Sequence, residues 1–294
     1  MRIFVTGASG WIGSAVTAEL LGSGHRVVGL ARSDAAAATI ANLGAEVRRG
    51  GLDDLDALRA GAADSDGVVH LGYNHDFSRM ADAAQTDLAA ITALGETLAG
   101  SDRPLLIASG VAGLPGRPAT ERDTADPGVH PRVANANAAL AFADRGVRTG
   151  IIRFAPTVHG DGDHGFVAVL VSVARERGVS AYIGDGGSWP AVHRLDAAEL
   201  VRLALEKAPA ASVLHAVAEP GVPTRDIAEA IARGLDLPVK SIPAEDAPAH
   251  FGWIGQFFGL DAHASSEHTR ELLGWTPRHQ GLIADLDAGY YLKG

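Results

Sequence analysis

The sequence predicts an α/β protein in which a doubly wound parallel sheet is followed by a smaller mixed domain. Short apolar segments alternate with helical segments over the first half of the chain, a pattern typical of parallel strands covered by helices on both faces. From Ala155 onward, loops rich in Gly and Pro interrupt that alternation. We therefore expect one domain at residues 1–156 and a second at 157–294, with one or two later segments returning to the first sheet.

The predicted elements follow one another without internal repeats. Strands are expected at 3–5, 26–31, 45–49, 67–71, 104–108 and 148–154. Helices are expected directly after the first strand, at 35–43, 54–62, 133–145, 166–177, 196–207 and 224–235, and near 266–273. A further long helix is indicated by apolar residues at helical spacing, namely Met80, Ala84, Leu88, Ile91, Leu94 and Leu98.

The first strand, the glycine loop after it and the following helix read RIFVTGASGWIG from Arg2 to Gly13. Gly7 permits a tight turn, Gly10 lets the backbone approach a diphosphate, and Gly13 lets the helix pack close to the strand. The helix N-terminus then presents free N–H groups to the phosphates. This order of strand, loop and helix predicts a dinucleotide-binding site. The alternative is a glycine turn with a purely structural role.

In dinucleotide-binding folds, the residue just after the second strand contacts the adenosine ribose of the cofactor. An acidic residue there bonds the ribose hydroxyls, whereas an arginine accommodates a 2′-phosphate. Arg32 occupies this position, so we expect NADP(H) to be preferred over NAD(H). Asp34 lies two residues further on and is expected to cap the next helix. The alternative is that Arg32 is a solvated surface residue.

Composition and charge exclude several classes of function. The chain has no cysteine, which excludes disulfides and thiolate metal sites. Its formal net charge is −10 and its basic residues are scattered, which argues against binding to nucleic acid or to an anionic membrane. We find no secretion signal and no run of about 18 apolar residues that would span a bilayer. We expect a soluble cytoplasmic protein.

The chain resembles an extended, or atypical, short-chain dehydrogenase/reductase of the NAD-dependent epimerase/dehydratase family. The resemblance covers nearly the full length. It rests on TGASGWIG at 6–13, VVHLG at 68–72, IASG at 107–110, IIRFAPTVHGDGD at 151–163, WPAVHRLDAA at 189–198 and LLGWTPR at 272–278. The resemblance implies a Rossmann-type first domain and a substrate domain closing over the carboxyl edge of its sheet. Members are often homodimers, so it also implies a possible homodimer.

The sequence departs from this family at the residues that move the proton. The family usually has a serine or threonine after the fifth strand and a YxxxK pair on the next helix. Alignment places Gly110 or the neighbouring Ser109 at the serine, Val133 at the tyrosine and Asn137 at the lysine. Asn137 retains the capacity to bond ribose, but Val133 has no proton to transfer.

A reductase without this tyrosine needs another acid or a substrate that requires little protonation. Tyr73 and His75 follow the fourth predicted strand, at the edge where the nicotinamide is expected, and His193 lies in the segment that usually meets the substrate. Ser109 is a candidate hydrogen-bond partner for a substrate oxygen. The alternatives are a loop that only shapes the pocket, a structural histidine and a serine that caps its strand.

Two further clusters are open to more than one interpretation. Imidazole and carboxylate groups lie close together in the loop that holds His159, Asp161, Asp163 and His164, but the intervening glycines favour a flexible turn, so we expect no metal site. No GxSxG motif supports a hydrolase. The aromatic residues Phe251, Trp253, Phe257 and Phe258 are expected to be core, with an apolar substrate wall or a dimer surface as alternatives.

Together these features predict an NADPH-dependent reductase of a small, fairly apolar carbonyl compound, imine or activated alkene. The alternatives are a nucleotide-sugar epimerase or dehydratase and a non-catalytic NADP(H)-binding sensor. The expected proton donors are Tyr73, His75 and His193, with Ser109 in support. The residues expected to contact the cofactor are Gly7, Ser9, Gly10, Trp11, Ile12, Gly13, Arg32, Ser33, Leu52, Asp53, Leu71, Gly72, Tyr73, Asn137 and Pro156.

Overall fold

A seven-stranded sheet of parallel strands forms the centre of the molecule. The structure is a computed structural model and describes residues 1–74, 79–111, 117–124 and 131–292. Strands are numbered in chain order. The sheet contains β1 (Arg2–Thr6), β2 (Arg26–Ala31), β3 (Glu46–Arg49), β4 (Gly67–His70), β5 (Pro104–Gly110), β6 (Arg148–Phe154) and β10 (Ser212–Ala216). Their spatial order is β10-β6-β5-β4-β1-β2-β3. This confirms the predicted Rossmann-type α/β fold.

Helices cover both faces of this sheet. They are α1 (Trp11–Gly22), α2 (Asp34–Asn42), α3 (Leu55–Ala63), α4 (Met80–Leu98), α5 (Pro131–Leu140) and α7 (Arg194–Lys207). One buried cluster joins the sheet to α1, α2 and α7, and another joins its opposite face to α3, α4 and α5. Among the described helices, none is both long and apolar enough to cross a membrane.

A second, smaller body is built around two short sheets. The first contains β7 (Thr157–His159), β9 (Ser188–His193) and β11 (Glu219–Pro223), and the other pairs β8 (Ser180–Ile183) with β12 (Val239–Ile242). Its helices are α6 (Phe166–Arg177), α8 (Thr224–Leu235), α9 (Ala247–Phe251), α10 (Gly255–Phe258) and α12 (Leu282–Asp287). Helix α11 (Glu267–Leu273) instead packs against β10 and α7 of the large sheet. Its aromatic-rich core is separate from the two cores of the large sheet. The aromatic residues Phe251 and Phe258, predicted as core, are buried in it, whereas Trp253 is 41% exposed. The boundary at residue 156 stays a prediction, and β10 and α7 are later segments that pack in the first body.

The structure confirms most of the predicted elements and corrects a few. The bounds of β2, β6, α6 and α8 are those predicted. The fifth strand is longer than expected, so Ser109 and Gly110 lie within β5. The predicted loop that holds His159 contains the strand β7, and β9 is among the strands that the sequence did not predict. The cap of α2 is Ser33, whose hydroxyl accepts the Ala36 N–H at 3.2 Å, and not Asp34, which is the first helical residue.

The buried face of α4 confirms most of the predicted apolar stripe, because Ala84, Ile91, Leu94 and Leu98 are buried. Met80 and Leu88 are instead 46% and 40% exposed. The buried stripe also contains Asp87, three residues after Ala84 and four before Ile91, on the same side of the helix. A carboxylate is therefore buried between α4 and the sheet, and its partners belong to the candidate site.

Candidate active site

The glycine loop between β1 and α1 has the geometry of an anion cradle. Gly7 has φ +69°, and a Cβ on Gly13 would lie 1.9 Å from the Gly7 carbonyl oxygen. A Cβ on Gly10 would meet only that same oxygen, at 3.2 Å, and would project into the space above the loop. Gly10 is the N-cap of α1 and offers no side-chain cap, so the first N–H groups of the helix remain open to a ligand. These residues fit a dinucleotide diphosphate.

Trp11, the first residue of α1, ties this loop to the second body. Its indole N–H donates to the Val158 carbonyl at 2.7 Å, and the Arg194 guanidinium lies 3.8 Å above its ring. Arg194 also donates to the Ser14 hydroxyl at 3.0 Å, and burial lowers the pKa of its guanidinium. The sequence predicted Trp11 as a cofactor contact but gave no indication of Arg194, because the two are far apart in the chain.

The adenosine end of the predicted site is at the carboxyl ends of β2 and β3. Arg32 is exposed directly after β2, and it has no ion-pair partner in the part of the chain that the structure describes. The neighbouring carboxylate of Asp34 is paired with Arg49 instead. Asp53 is exposed after β3, and the side chain of Leu52 lies close to Gly72. A guanidinium is therefore available where a 2′-phosphate is expected.

A buried hydrogen-bonded network lies beneath the carboxyl edge of the sheet. The hydroxyl of Thr6 is 2.9 Å from Nδ1 of His70, whose Nε2 is 3.1 Å from the Asp87 carboxylate. The side-chain amide of Asn135 on α5 donates to the other oxygen of Asp87 at 2.7 Å. All four residues are at most 5% exposed. The network therefore connects β1, β4, α4 and α5.

This network also fixes the segment that follows β4. The Gly72 N–H donates to the Thr6 hydroxyl at 3.1 Å, which leaves that hydroxyl's own proton for Nδ1 of His70. Nε2 of His70 then carries the proton that is donated to Asp87. Burial alone would raise the pKa of Asp87, but its bonds from His70 and Asn135 outweigh burial and hold the pKa below the usual value. Leu71, Gly72 and Tyr73 are thus attached to a rigid, charged anchor.

Tyr73 is the last residue of this anchored segment and is covered by an arginine from α5. The Arg132 guanidinium is 4.1 Å from the centre of the Tyr73 ring and donates to the Ala108 carbonyl of β5 at 3.0 Å. Burial raises the pKa of Tyr73, and the charge of Arg132 partly opposes that effect. Burial also lowers the pKa of the Arg132 guanidinium. Sequence reasoning missed Arg132, whose only signal is its place beside Val133.

The positions that hold the family's proton-transfer pair lie on the same helix. Val133 is partly buried on α5 and Asn137 is exposed one turn later. Ser109 is 7% exposed and lies on the same face of β5 as Leu105 and Ile107, four and two residues earlier. The side chains of Leu105 and Ile107 pack with α4 and α5. Ser109 therefore points to the face that carries α5, whereas Gly110 is exposed at the strand end.

The two histidine candidates have different outcomes. His75 lies outside the described residues. His193 ends β9 and caps α7, where its Nδ1 accepts the Leu195 N–H at 3.3 Å. Its ring stacks on His279 with centroids 4.6 Å apart, and burial lowers its pKa. These contacts favour the structural alternative, because the ring is engaged at the junction of β9, α7 and the C-terminal segment.

In the loop that holds His159 and Asp163, where we expected no metal site, the polar side chains bind to different partners. Nδ1 of His159 is 2.5 Å from the buried carboxylate of Asp285. Asp163 accepts the Gly165 N–H at 2.7 Å and the Tyr291 hydroxyl at 2.8 Å. These groups and their neighbours Asp161 and His164 do not form a shared set of ligands.

Within the described residues, a different trio places its ligand atoms within 4.8 Å of one another. These are His193, Asp196 and His279. The Asp196 carboxylate already accepts the N–H groups of Arg278 and His279, at 2.9 and 3.1 Å, and lies 2.8 Å from the His279 ring nitrogen. Hydrogen bonds within the protein therefore account for this arrangement.

Comparisons with known proteins agree with this architecture. The family model described as "NAD dependent epimerase/dehydratase family" matches residues 3–217. An uncharacterized protein of Schizosaccharomyces pombe is 48% identical over 99% of this chain and 100% of its own length. An uncharacterized protein of Saccharomyces cerevisiae is 46% identical over the full length of both chains.

Solved structures show the same fold at lower identity. UDP-glucose 4-epimerase from Thermotoga maritima, determined with UDP-glucose, is similar with a TM-score of 0.79 and 19% identity, covering 100% of this chain and 99% of that one. MoeE5 in complex with UDP-glucose and NAD gives a TM-score of 0.74 and 22% identity with the same coverage. Both likenesses concern the fold alone.

Proposed function

The chain belongs to the NAD-dependent epimerase/dehydratase family, and on that basis we propose that it reduces a small, fairly apolar carbonyl compound, imine or activated alkene with NADPH. The observation that carries the proposal is the contact between Tyr73 and Arg132 at the carboxyl edge of the sheet. Its support is that the cation covering the Tyr73 ring comes from α5, the helix on which Val133 and Asn137 replace the usual proton-transfer pair.

When bound, a nicotinamide cofactor supplies a hydride to an electrophilic carbon of the substrate. The residues of this chain then have to complete the reaction with a proton. With a carbonyl substrate, or with the enolate that an activated alkene gives after hydride addition, the protonated Tyr73 hydroxyl donates its proton to the oxygen; an iminium becomes a neutral amine on hydride addition and needs no proton from it. Burial raises the pKa of Tyr73, so it is a weak acid and suits substrates that require little protonation. The phenolate that forms is stabilised by the guanidinium of Arg132 over the ring and recovers its proton from water.

An imine or an activated alkene suits this arrangement better than a simple ketone. An iminium is already protonated before the hydride arrives, and an enolate accepts its proton afterwards. Tyr73 therefore does not need the low pKa that the family's usual lysine gives to its tyrosine.

The proposed preference for NADPH rests on Arg32. Its guanidinium is exposed at the end of β2, and the adjacent carboxylate of Asp34 is engaged by Arg49. A guanidinium whose nearest acidic residue in the chain is already paired with another arginine favours the 2′-phosphate of NADP(H). Solved structures of similar fold contain NAD, so the choice between the two cofactors is a specific prediction for this chain.

Nucleotide-sugar epimerisation or dehydration is the second candidate, because UDP-glucose 4-epimerases share the fold. That chemistry normally requires a tyrosine at the position of Val133. A non-catalytic NADP(H) sensor is the third candidate, and the missing pair is its support. A sensor does not need a hydroxyl and a cation beside the nicotinamide, whereas a reductase does.

The experiment that tests the proposal is a titration with NADPH and NADH, followed by a panel of ketones, cyclic imines and enones. Tighter binding of NADPH and substrate-dependent loss of its near-ultraviolet absorbance are expected. Tight binding without oxidation across the panel contradicts the reductase and favours the sensor. Turnover of UDP-glucose without net oxidation of the cofactor favours the epimerase.

A further inference from the structure

Arg194 is the first residue of α7, and its guanidinium lies against the first turn of α1. The central carbon of the guanidinium is 3.8 Å from the centre of the Trp11 ring, and one terminal nitrogen donates to the Ser14 hydroxyl at 3.0 Å. Ser14 follows Trp11 by three residues, a rise of about 4.5 Å along the helix. The guanidinium therefore lies within about one helical turn of the open N–H groups at the start of α1.

The side chain of Arg194 is held in place by the segment that ends β7. A Cβ added to Gly160 would lie 3.3 Å from Cγ and 3.4 Å from Cδ of Arg194, so the backbone of Gly160 packs against the stem of the arginine. The indole of Trp11, on which the guanidinium stacks, is itself bonded to Val158 of β7. A side chain fixed on two sides loses little conformational entropy when it binds a ligand.

The charge of Arg194 has no ion-pair partner within the described residues. The carboxylate that acts on it electrostatically belongs to Asp163, which is bonded to the Gly165 N–H and the Tyr291 hydroxyl instead. Nε of Arg194 is buried and makes no hydrogen bond to the part of the chain that the structure describes. A guanidinium that is partly removed from water and incompletely paired is stabilised by an anion beside it.

We propose that Arg194 binds the diphosphate of the nicotinamide dinucleotide, together with the N–H groups at the start of α1. The helix terminus offers about half an elementary charge, whereas a diphosphate carries full negative charges. A guanidinium adds a full positive charge and a planar set of donors that matches phosphate oxygens. The inference rests on the dinucleotide site of the family and not on the reduction proposed above.

Arg194 and Arg32 then bind different phosphates of the cofactor. Arg32 lies after β2, where the 2′-phosphate of NADP(H) is expected, and Arg194 lies against the first turn of α1. NADPH and NADH both contain the diphosphate, so Arg194 contributes to the binding of both. Arg32 contributes to the binding of NADPH alone.

Binding of ADP-ribose tests the inference without turnover, because ADP-ribose has the diphosphate but neither the 2′-phosphate nor the nicotinamide. Arg194→Gln keeps a donor for Ser14 and removes the charge. We expect isothermal titration to show ADP-ribose, NADH and NADPH all bound about tenfold to a hundredfold more weakly, as when a charged hydrogen bond is lost. Arg194→Lys keeps the charge and is expected to bind ADP-ribose with an affinity between those of Arg194→Gln and the unchanged protein.

Arg225→Gln is the matched control. Arg225 lies 5.2 Å over the ring of Tyr182 in the second body, a similar stacked contact away from α1. We expect this variant to bind ADP-ribose, NADH and NADPH with unchanged affinity. An equal loss of affinity in Arg194→Gln and Arg225→Gln overturns the inference.

The salt dependence of binding separates a contact with the diphosphate from a structural role. Salt screens the attraction between two charges, so the affinity of the unchanged protein for ADP-ribose is expected to fall more steeply between about 0.05 and 0.5 M salt than that of Arg194→Gln. A loss of affinity in Arg194→Gln that is equal at both salt concentrations overturns the inference. So does a loss for NADPH alone, which would place the guanidinium at the 2′-phosphate.

The same titrations keep this inference apart from the proposed function. Weaker binding of ADP-ribose by Arg194→Gln, while the unchanged protein reduces no member of the substrate panel, supports the role of Arg194 and contradicts the reductase. Unchanged binding of ADP-ribose by Arg194→Gln overturns the role of Arg194 even where the unchanged protein oxidises NADPH.

Discussion

The glycine loop of β1 and α1 and the first turns of α5 contribute to the same sheet edge, yet they relate to their family in opposite ways. The loop carries Gly7, Gly10 and Gly13 in the expected places, with the expected conformations and clearances. Helix α5 carries Val133 and Asn137 where a tyrosine and a lysine are usual. The glycine loop therefore has all three family glycines, whereas α5 lacks the family's tyrosine and lysine.

In the proposed function, this difference assigns cofactor binding and proton transfer to separate regions of the fold. Binding at the loop depends on backbone N–H groups and on the absence of three Cβ atoms, which side-chain changes on α5 do not affect. In the proposed function, proton transfer depends on one hydroxyl and its charge environment, and the candidates for these are Tyr73, which follows β4, and Arg132 on α5. Variants of the two regions are therefore expected to fail in different measurements.

The largest expected effect belongs to Gly13→Ala. The added Cβ would lie 1.9 Å from the Gly7 oxygen, so α1 must move away from β1. We expect at least about a hundredfold loss of NADPH affinity, since a displacement of this kind removes several phosphate contacts. Isothermal titration measures the affinity, and thermal unfolding measures any loss of stability.

Gly22→Ala is the matched control on the same helix. A Cβ at Gly22 meets nothing within 4 Å. The change is expected to keep NADPH affinity and to raise stability by up to about 1 kcal/mol, because alanine favours the helix and restricts the unfolded chain. Equal affinities for the Gly13→Ala and Gly22→Ala proteins would contradict the cradle.

Arg132→Met changes the proposed proton-transfer region on α5 and leaves the glycine loop of β1 and α1 unchanged. It removes the charge over Tyr73 and keeps an apolar side chain of similar length. We expect kcat to fall about 10²-fold with unchanged NADPH affinity, as when one stabilising donor is lost from an active site. Arg145→Met is the control, because Arg145 lies 4.9 Å over the Phe142 ring in a similar contact away from the sheet edge. Equal loss in both variants would assign Arg132 a structural role only.

Arg32→Ala tests the cofactor-binding region at the adenosine end of the cofactor. Loss of a charged contact to the 2′-phosphate is expected to weaken NADPH binding about tenfold to a hundredfold and to leave NADH binding unchanged. Arg26→Ala, at the opposite end of β2, is the control. If both cofactors weaken alike, Arg32 does not select between them.

The smallest expected effect concerns the acid stability of the network under the edge. The depressed pKa of Asp87 stabilises the fold above the unfolded value of about 3.9, and this contribution is lost as the pH falls through the folded pKa. Asp87→Asn is expected to cost about 1–3 kcal/mol at neutral pH. Its deficit against the unchanged protein narrows below about pH 4 in denaturant titrations. If the free energy of unfolding of Asp87→Asn is lower by the same amount at all pH values, the charge of Asp87 does not contribute to stability.

The sequence was sufficient for the parts of the molecule that local pattern determines. Strand, loop and helix around Gly7 follow from backbone sterics, and the bounds of β6 and α8 follow from apolar spacing and from turn residues. The absence of a tyrosine at Val133 was equally visible. Each of these features is encoded within a few consecutive residues.

The parts that were missed depend on contacts between distant segments. Arg132 meets Tyr73 only because α5 packs beside the end of β4, and Asp87 is buried only because His70 and Asn135 satisfy it. His193 is the opposite case, because the sequence predicted an acid. In the structure it caps α7 and its ring stacks on His279, a residue that is distant in the chain. Pattern along the chain does not report such pairings.

The measurement that tests the account most directly is single-turnover oxidation of NADPH by the Tyr73→Phe protein, with its NADPH affinity determined on the same sample. Tyr182→Phe is the control, because Tyr182 also lies beneath an arginine, with Arg225 at 5.2 Å, but in the second body. With a ketone or an enone as substrate, we expect unchanged affinity and turnover slowed about 10²-fold in Tyr73→Phe alone. Unchanged turnover in Tyr73→Phe would contradict it, and would show that the proton does not come from this hydroxyl.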